Sequence, residues 1–399
     1  MYPRSPLESI KKFHQELTLL RRDLHAHPEL GFQEMRTSGI VAGALEALGV
    51  EVHRGIGKTG VVGVIHGLSD ASQRMIGLRA DMDALPILEE SNVDHRSTKP
   101  GLMHACGHDG HTAILLGAAK HLAQTRNFDG TAVLIFQPAE EGLGGARAMI
   151  DDGLFDRFPC DAVYGLHNWP ALPAGVIGIN PGPMMAASDK FEIVIEGWGG
   201  HGAHPYQTID PIIIAAQIIT ALQTIVSRNV HPAESAVISI GSVQAGNPAA
   251  ASVIPREARL VGTVRTFKDS VQQLVETRMR ELIASIASGF GAKAELRYQR
   301  SYPATINTPR EANFVADIAT EMFGADRVVR DLIPSMGSED FSYMLQVKPG
   351  AYFRLGQGGA EAGNLLHNSS FDFNDDVIPV GSAMFAALVE RSMPIAEKP

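Results

Sequence analysis

Cysteine is almost missing from this sequence: Cys106 and Cys160 are the only two among 399 residues. Two cysteines do not make a disulfide framework, which excludes the stapled small-domain class and leaves both thiols free to bind metal. A reducing cytoplasm is the expected setting. Basic charge is also scarce, with 34 Lys and Arg against 44 Asp and Glu and a net charge of −10. No basic cluster offsets that deficit, so neither nucleic acid nor an anionic membrane is an expected partner. Long apolar runs are absent too. The longest, PIIIAAQIITALQTIV at 211–226, is too short and too interrupted for a membrane span and is expected as a buried amphipathic helix. The opening stretch MYPRSPLESIKKFHQEL has no apolar core and no small-residue cleavage site, so no export signal is expected. Internal repeats and low-complexity tracts are missing as well.

What remains is a soluble globular composition, 45% apolar and 20% charged, in a chain too long for one ordinary core. Buried strands are expected at 60–67 and 75–83, a helix at 110–124, a strand that runs into a polar loop at 130–142, and a strand with polar residues at its C-terminal end at 162–170. That alternation predicts an α/β domain with a mostly parallel sheet flanked by helices. Sites in such sheets gather at the carboxyl ends of the strands, where Asp81, Glu140, Glu141 and His167 fall. From about residue 187 the rhythm becomes βαββαβ, with helices at about 209–228 and 269–289, the pattern of a small ferredoxin-like sandwich. The expected division is a catalytic domain in two parts, 1–186 and 303–399, interrupted by an inserted domain at 187–302.

The stretch HACGHDGH at 104–111 holds three histidines, a cysteine and an aspartate. Histidine count alone proves little, for there are fifteen; His14, His53, His66, His95, His121 and His231 read as ordinary surface or hydrogen-bonded residues. Cys106 and His108 are different, because thiolate and imidazole two residues apart suit zinc, nickel, cobalt or a related ion. A polar turn is an equally good reading of that pair taken alone. QPAEEG sets Glu140 and Glu141 at a strand end, where adjacent side chains on an extended chain point opposite ways, one to a metal and one to a water. A solvated acidic loop is the bland alternative. GLHN adds His167, and LLHNSSFDFND adds His367. Five donors are too many for one tetrahedral ion but suit two ions roughly 3.5–4 Å apart. A bridging anion between them would be Cys106, with Asp109 the weaker candidate.

The segments LHAHPELGFQE, RADMDALPI, HACGHDGHTA, FQPAEEG, GLHN, GGHGAHP, GTVRTF, GSEDF and LHNSSFDFND, in this order from about residue 20 to 390, resemble the hippurate hydrolase and indole-acetyl-amino-acid hydrolase branch of metallopeptidase family twenty. The resemblance implies a dimetal catalytic domain and an inserted lid that mediates a homodimer or higher homo-oligomer. It assigns Cys106, His108, Glu141, His167 and His367 as metal ligands and Glu140 as general base. Asp83 is implied to orient a metal ligand. Asp81 stands where distant relatives carry a histidine ligand. His201 matches an oxyanion-stabilising histidine supplied by a partner subunit, although a turn residue is its plain reading. Arg265 is a candidate for the substrate carboxylate, or an exposed strand arginine. The chain departs from the pattern at ASVIP, where Ser252 replaces the usual asparagine; Asn247, five residues earlier, is the candidate substitute for substrate contact.

The implied reaction is hydrolysis of an N-acyl amino acid, a small-molecule substrate, to a carboxylic acid and a free amino acid by metal-bound hydroxide. The implied cofactors are two divalent ions drawn from zinc, manganese, nickel or cobalt. A dipeptidase or carboxypeptidase using the same site is the second reading. A catalytically dead metal carrier is the third, and the retained Glu140 argues against it. Trp169, Trp198 and Phe371 are candidates for either a substrate pocket or the core.

Overall fold

The computed structural model describes residues 6–396. Met1–Arg4 and Ser5, part of the stretch read as lacking an export signal, lie outside the described residues. The chain forms two compact units. One runs through Met184 and resumes at Ile306–Ile333 and from Asp340 onward; the other comprises Met185–Thr305 and Pro334–Glu339.

The first unit is built on an eight-stranded sheet. Its main strands are β1 (Glu51–Ile56), β2 (Gly60–His66), β3 (Met75–Asp81), β4 (Thr131–Gln137), β5 (Ala162–Trp169) and β6 (Gly350–Gly356). They lie in the order β1-β2-β4-β3-β5-β6, with the short strands Ile177–Gly178 and Val328–Val329 at the far edge. The central four, β4, β3, β5 and β6, are mutually parallel; β1 and β2 add an antiparallel hairpin at one edge. Every position of β4 (TAVLIFQ) and of β6 (GAYFRLG) is buried. Both sheet faces are therefore covered, which is why β4 reads as a nearly continuous apolar run; β6, interrupted by Arg354, is not among the strands expected from the sequence.

The cover comes from α1 (His14–Ala26), α2 (Met35–Ala47), α3 (His108–Thr125), α4 (Pro309–Phe323) and α5 (Ile378–Ser392). Helices α3 and α5 are buried on nearly all sides and pack against each other at Gly117. There a Cβ would stand 2.4 Å from Ser382 Oγ, and that hydroxyl donates to Ile114 O at 2.7 Å. The missing side chain is what lets the two helices approach.

The second unit is a four-stranded antiparallel sheet in the order Ala236–Ala245, Glu257–Thr266, Ala187–Glu196, Lys293–Tyr302. Two helices, Pro211–Arg228 and Asp269–Gly289, share a core with it through Ile214, Ile218, Leu222 and Ile225 on one and Val275, Met279 and Ile283 on the other. Asp210 caps the first helix, its Oδ1 accepting from Ile212 N at 2.9 Å, with Pro211 at the first helical position. This helix is long and apolar enough for a membrane by composition. Only a single stripe of it is buried, while Ile212 and Ile213 are exposed, so it is amphipathic rather than buried all round.

The sequence pattern puts the insert at 187–302, whereas Pro334–Glu339 also packs into this unit. That segment is held by backbone bonds, Ala186 N donating to Ser335 O at 3.0 Å and to Gly337 O at 2.8 Å, and main-chain pairing of this kind leaves no side-chain signature.

Gly117→Val should overpack the α3–α5 contact and cost about 1–3 kcal/mol. The expected reading is a lower urea midpoint with an unchanged slope; an unshifted midpoint would show that the contact is not close-packed.

Candidate metal centre

Three loops and one strand end at the carboxyl side of the parallel strands supply the donors. The first is the turn into α3. Gly107 is left-handed at φ +92°, and a Cβ on it would meet Asn168 Oδ1 at 2.6 Å. Glycine is therefore required there, and the turn presents Cys106 on one side and His108 on the other. The second follows β4. Glu140 and Glu141 do not lie on an extended chain as the alternation argument supposed. Ala139 is left-handed at φ +54°, and the chain turns so that both carboxylates leave one tight, irregular turn in which Glu141 and Gly142 are themselves non-helical. The strained residue is held by its N–H, which donates to the buried Glu34 at 2.8 Å. The third is β5, carrying His167. The fourth follows β6 and carries His367, also left-handed at φ +61°, whose N–H donates to Ala105 O at 2.7 Å.

These loops bring together the side chains singled out in the sequence. Donor atoms of Cys106, His108 and His167 lie within 4.8 Å of one another, and so do those of Cys106, Glu141 and His367, and those of His108, Glu140 and Glu141. Cys106 Sγ is 3.3 Å from His167 Nε2, and Glu141 Oε1 is 3.3 Å from His367 Nε2.

His108 Nε2 is buried without a hydrogen-bond partner, and Glu141 Oε1 makes no well-aligned hydrogen bond although His367 Nε2 lies 3.3 Å away. A buried polar atom left unsatisfied costs roughly 1–3 kcal/mol. Burial, together with the charges of Glu141 and Glu140, pushes the Cys106 thiol well above its ordinary range. A divalent cation held here would give His108 Nε2 and Glu141 Oε1 a partner and would favour the thiolate form of Cys106. Thiolate, imidazole and carboxylate together are the donor chemistry of a borderline ion such as zinc. The residues present therefore fit a metal centre.

Supporting bonds set which nitrogen each imidazole offers. His167 Nδ1 bonds Asn168 O at 2.7 Å, leaving Nε2 toward Cys106. His108 Nδ1 bonds Asp83 Oδ1 at 3.2 Å, leaving Nε2 toward the carboxylates. Asp83 Oδ1 also accepts from Glu140 N at 3.0 Å and its Oδ2 from Glu141 N at 2.9 Å. Asp81 bonds His111 Nδ1 at 2.6 Å and Arg79 Nη1 at 2.7 Å, its Oδ2 lies 3.8 Å from His108 Nε2, and with His108 and His111 it forms a further group of donor atoms within 4.8 Å of one another. Its burial would raise its carboxyl, but Arg79, His108 and His111 hold it well below the usual range. His111 and Asn168 were not picked out from the sequence. The available signal was spacing, since His111 follows His108 by three residues on one helix face.

Asp109, the weaker candidate for a bridging anion, is turned away from these donors. Its Oδ2 accepts from Arg21 Nε at 2.8 Å and bonds His25 Nδ1 at 2.9 Å in a buried ion cluster. Burial would lower the His25 pKa, yet its bonds to Asp109 and Glu89 outweigh that and raise it to about 9.

His201, Asn247 and Arg265 belong to the second unit. His201 is exposed and pairs with Val253 across a two-residue ladder; Gly202 N donates to Ser252 O at 2.7 Å, so the altered ASVIP segment is the strand partner of the His201 segment. Asn247 is exposed and its Oδ1 accepts from Ala249 N at 3.0 Å in a local turn. Arg265 is half buried in register with Ser188 and Val237, and Asp189 is the charge that acts on it. Phe371 is core and Trp198 is exposed. Trp169, beside His167, lies under the Arg354 guanidinium at 3.8 Å from its ring centroid.

Comparison with known proteins bears on this geometry. Residues 77–391 match the family model described as Peptidase family M20/M25/M40. The chain is 43% identical over 373 residues to the hippurate hydrolase of Campylobacter jejuni subsp. jejuni, covering 94% of this chain and 95% of that one. It is 40% identical over 386 residues to thermostable carboxypeptidase 2 of Saccharolobus solfataricus, covering 95% and 96%. Among solved structures, the YXEP protein of Bacillus subtilis, described as a dinuclear metal binding peptidase, matches with a TM-score of 0.83 and 39% identity over 96% of this chain and 99% of that one.

The His25 cluster gives a pH test. Its folded pKa of about 9 exceeds the ordinary 6.5. The stability it contributes is therefore complete below pH 6.5 and is lost as the pH rises through 9. Chemical denaturation at pH 6.5 and 9 should show that loss, and His25→Gln should flatten it; an equal slope in the variant would remove the assignment.

Proposed function

The chain belongs to peptidase family M20/M25/M40, and we propose that it is a metal-dependent amidohydrolase that cleaves N-acyl amino acids to a carboxylic acid and a free amino acid. The observation that carries this reading is the sharing of Cys106 between two donor sets, one with His108 and His167 and one with Glu141 and His367, with the Glu140 carboxylate beside them. Two divalent ions bound there would polarise the amide carbonyl and acidify a water molecule. Zinc, manganese, nickel and cobalt all suit the donors. Cys106 is the bridging donor in this reading.

The chain's own residues do the rest. Glu140 takes the proton of the attacking water and returns it to the amine nitrogen as the C–N bond breaks. Asp83 positions Glu140 through its backbone N–H and fixes the tautomer of His108. His201 is assigned as the donor to the developing oxyanion, supplied by a partner subunit, and Arg265 as the group that holds the substrate carboxylate. Both assignments are supported by their motifs, GGHGAHP and GTVRTF. The family resemblance supports the second unit as the lid through which a homodimer or higher homo-oligomer forms, the ASVIP departure makes Asn247 the candidate substrate contact, and the two cysteines, free of any disulfide, support a cytoplasmic setting. The relative named as a carboxypeptidase favours, as the second reading, peptide cleavage by the same residues.

Release of glycine from benzoylglycine should be lost on chelation and recovered when a divalent ion is restored. Hydrolysis only of dipeptides with a free amine would select the second reading. Glu140→Gln should lower turnover by about 10²–10⁴-fold while metal content stays constant; near-normal turnover would show that another group is the base. Cys106→Ser should lower metal occupancy, and full occupancy with undiminished activity would remove the bridging thiolate.

A further inference from the structure

Arg21 is fully buried and lies outside every donor set. A guanidinium keeps its proton under all ordinary conditions, so a buried one must be paired. Arg21 is paired with carboxylates from two segments. Nε donates to Asp109 Oδ2 at 2.8 Å, the residue that follows His108 on α3. Nη2 donates to Asp372 Oδ1 at 2.6 Å, and Nη1 stands 3.5 Å from Asp375 Oδ1, both on the segment after His367. His95 Nε2 joins the knot, 2.9 Å from Arg21 Nη1 and 3.1 Å from Asp372 Oδ1. The planar fork of arginine thus spans two parts of the chain that bear donors.

The two donor sets do not depend on this fork equally. Cys106, His108 and His167 are carried by the turn into α3 and by β5, and Asp83 and Asn168 O fix the two imidazoles. Asp109 has a second partner besides Arg21, bonding His25 Nδ1 at 2.9 Å. His367 is different. Its side chain is 54% exposed, its backbone is left-handed, and its segment is bonded to Ala105 O by His367 N, to Glu90 by Ser369, to Gln357 by Asp372 and Asn374, to His14 and Arg22 by Asp375, and to Arg21 by Asp372 and Asp375; among these bonds only the Arg21 fork also reaches α3, through Asp109.

We infer that Arg21 is a positioning residue for one half of the metal centre: its fork holds the His367 segment against α3, so the ion at Cys106, Glu141 and His367 depends on it and the ion at Cys106, His108 and His167 does not. This inference rests on the two-ion reading given above.

The test is calorimetric titration of chelator-stripped full-length protein with Mn²⁺, with metal content measured in parallel. Wild type should take up two ions per chain. Arg21→Lys, which keeps the charge and loses the fork, should keep one ion at wild-type affinity and weaken the other by about 10–100-fold. Its turnover of benzoylglycine should recover at high Mn²⁺, a rescue that a general loss of folding would not give. Asp372→Asn cuts the same link from the other side, at a side chain already one-third exposed, and decides the matter if the arginine variant does not fold. Two ions bound at wild-type affinity in a folded variant, or equal weakening of both, overturns the role of Arg21. A wild type that binds a single ion overturns the two-ion reading itself.

Discussion

Asp83 uses both carboxylate oxygens on three groups: the ring of His108 and the backbone N–H groups of Glu140 and Glu141. These groups come from α3 and from the turn after β4, elements that the sheet brings close without fixing their mutual angle. An acceptor-only group buried between three donors has no alternative partner there, and breaking it would leave several buried polar atoms unsatisfied. The aim of the histidine, the position of the proposed base and the direction of the neighbouring carboxylate are consequently one variable.

Much of this was legible in the sequence because metal-site chemistry restricts residue type. Only a few side chains bind borderline ions, so Cys106, His108, Glu141, His167 and His367 stood out against fifteen histidines once their strand-end positions were considered together. The α/β rhythm was legible because fully buried parallel strands are unbroken apolar runs. What escaped was whatever depends on backbone conformation or long-range pairing. The left-handed Ala139 cannot be read from an alanine, a residue without special preference for that region, so the Glu140–Glu141 pair was expected on an extended chain. Asp109 looked like a possible ligand because it neighbours His108; its true partners, Arg21 and His25, lie more than eighty residues earlier. Pro334–Glu339 joins the second unit through bonds to its own backbone, from Ala186 N to Ser335 O and Gly337 O and from the Thr305 hydroxyl to Glu339 O.

The second unit shows how a local departure from a family pattern can be read physically. Ser252 stands where the resemblance expects an asparagine, and its carbonyl accepts from Gly202 beside His201. That contact is made by the backbone and survives the substitution. What changes is the side chain offered next to the ladder, a short hydroxyl in place of an amide with both donor and acceptor. The exposed Asn247 has the lost chemistry on a separate turn, where its own oxygen is already bonded to Ala249 N.

The donors are spread very unevenly along the chain. Cys106, His108 and His167 are complete before the chain enters its second unit at Met185, whereas His367 lies beyond the return to the first unit at Asp340. During synthesis from the N-terminus, one donor set can therefore close while more than half of the polypeptide has yet to be made. The other set stays open until almost the last residues have emerged and the sheet has accepted β6, a long-range closure that comes late in folding. A chain cut short before His367 has the residues for one ion and lacks a donor for the second.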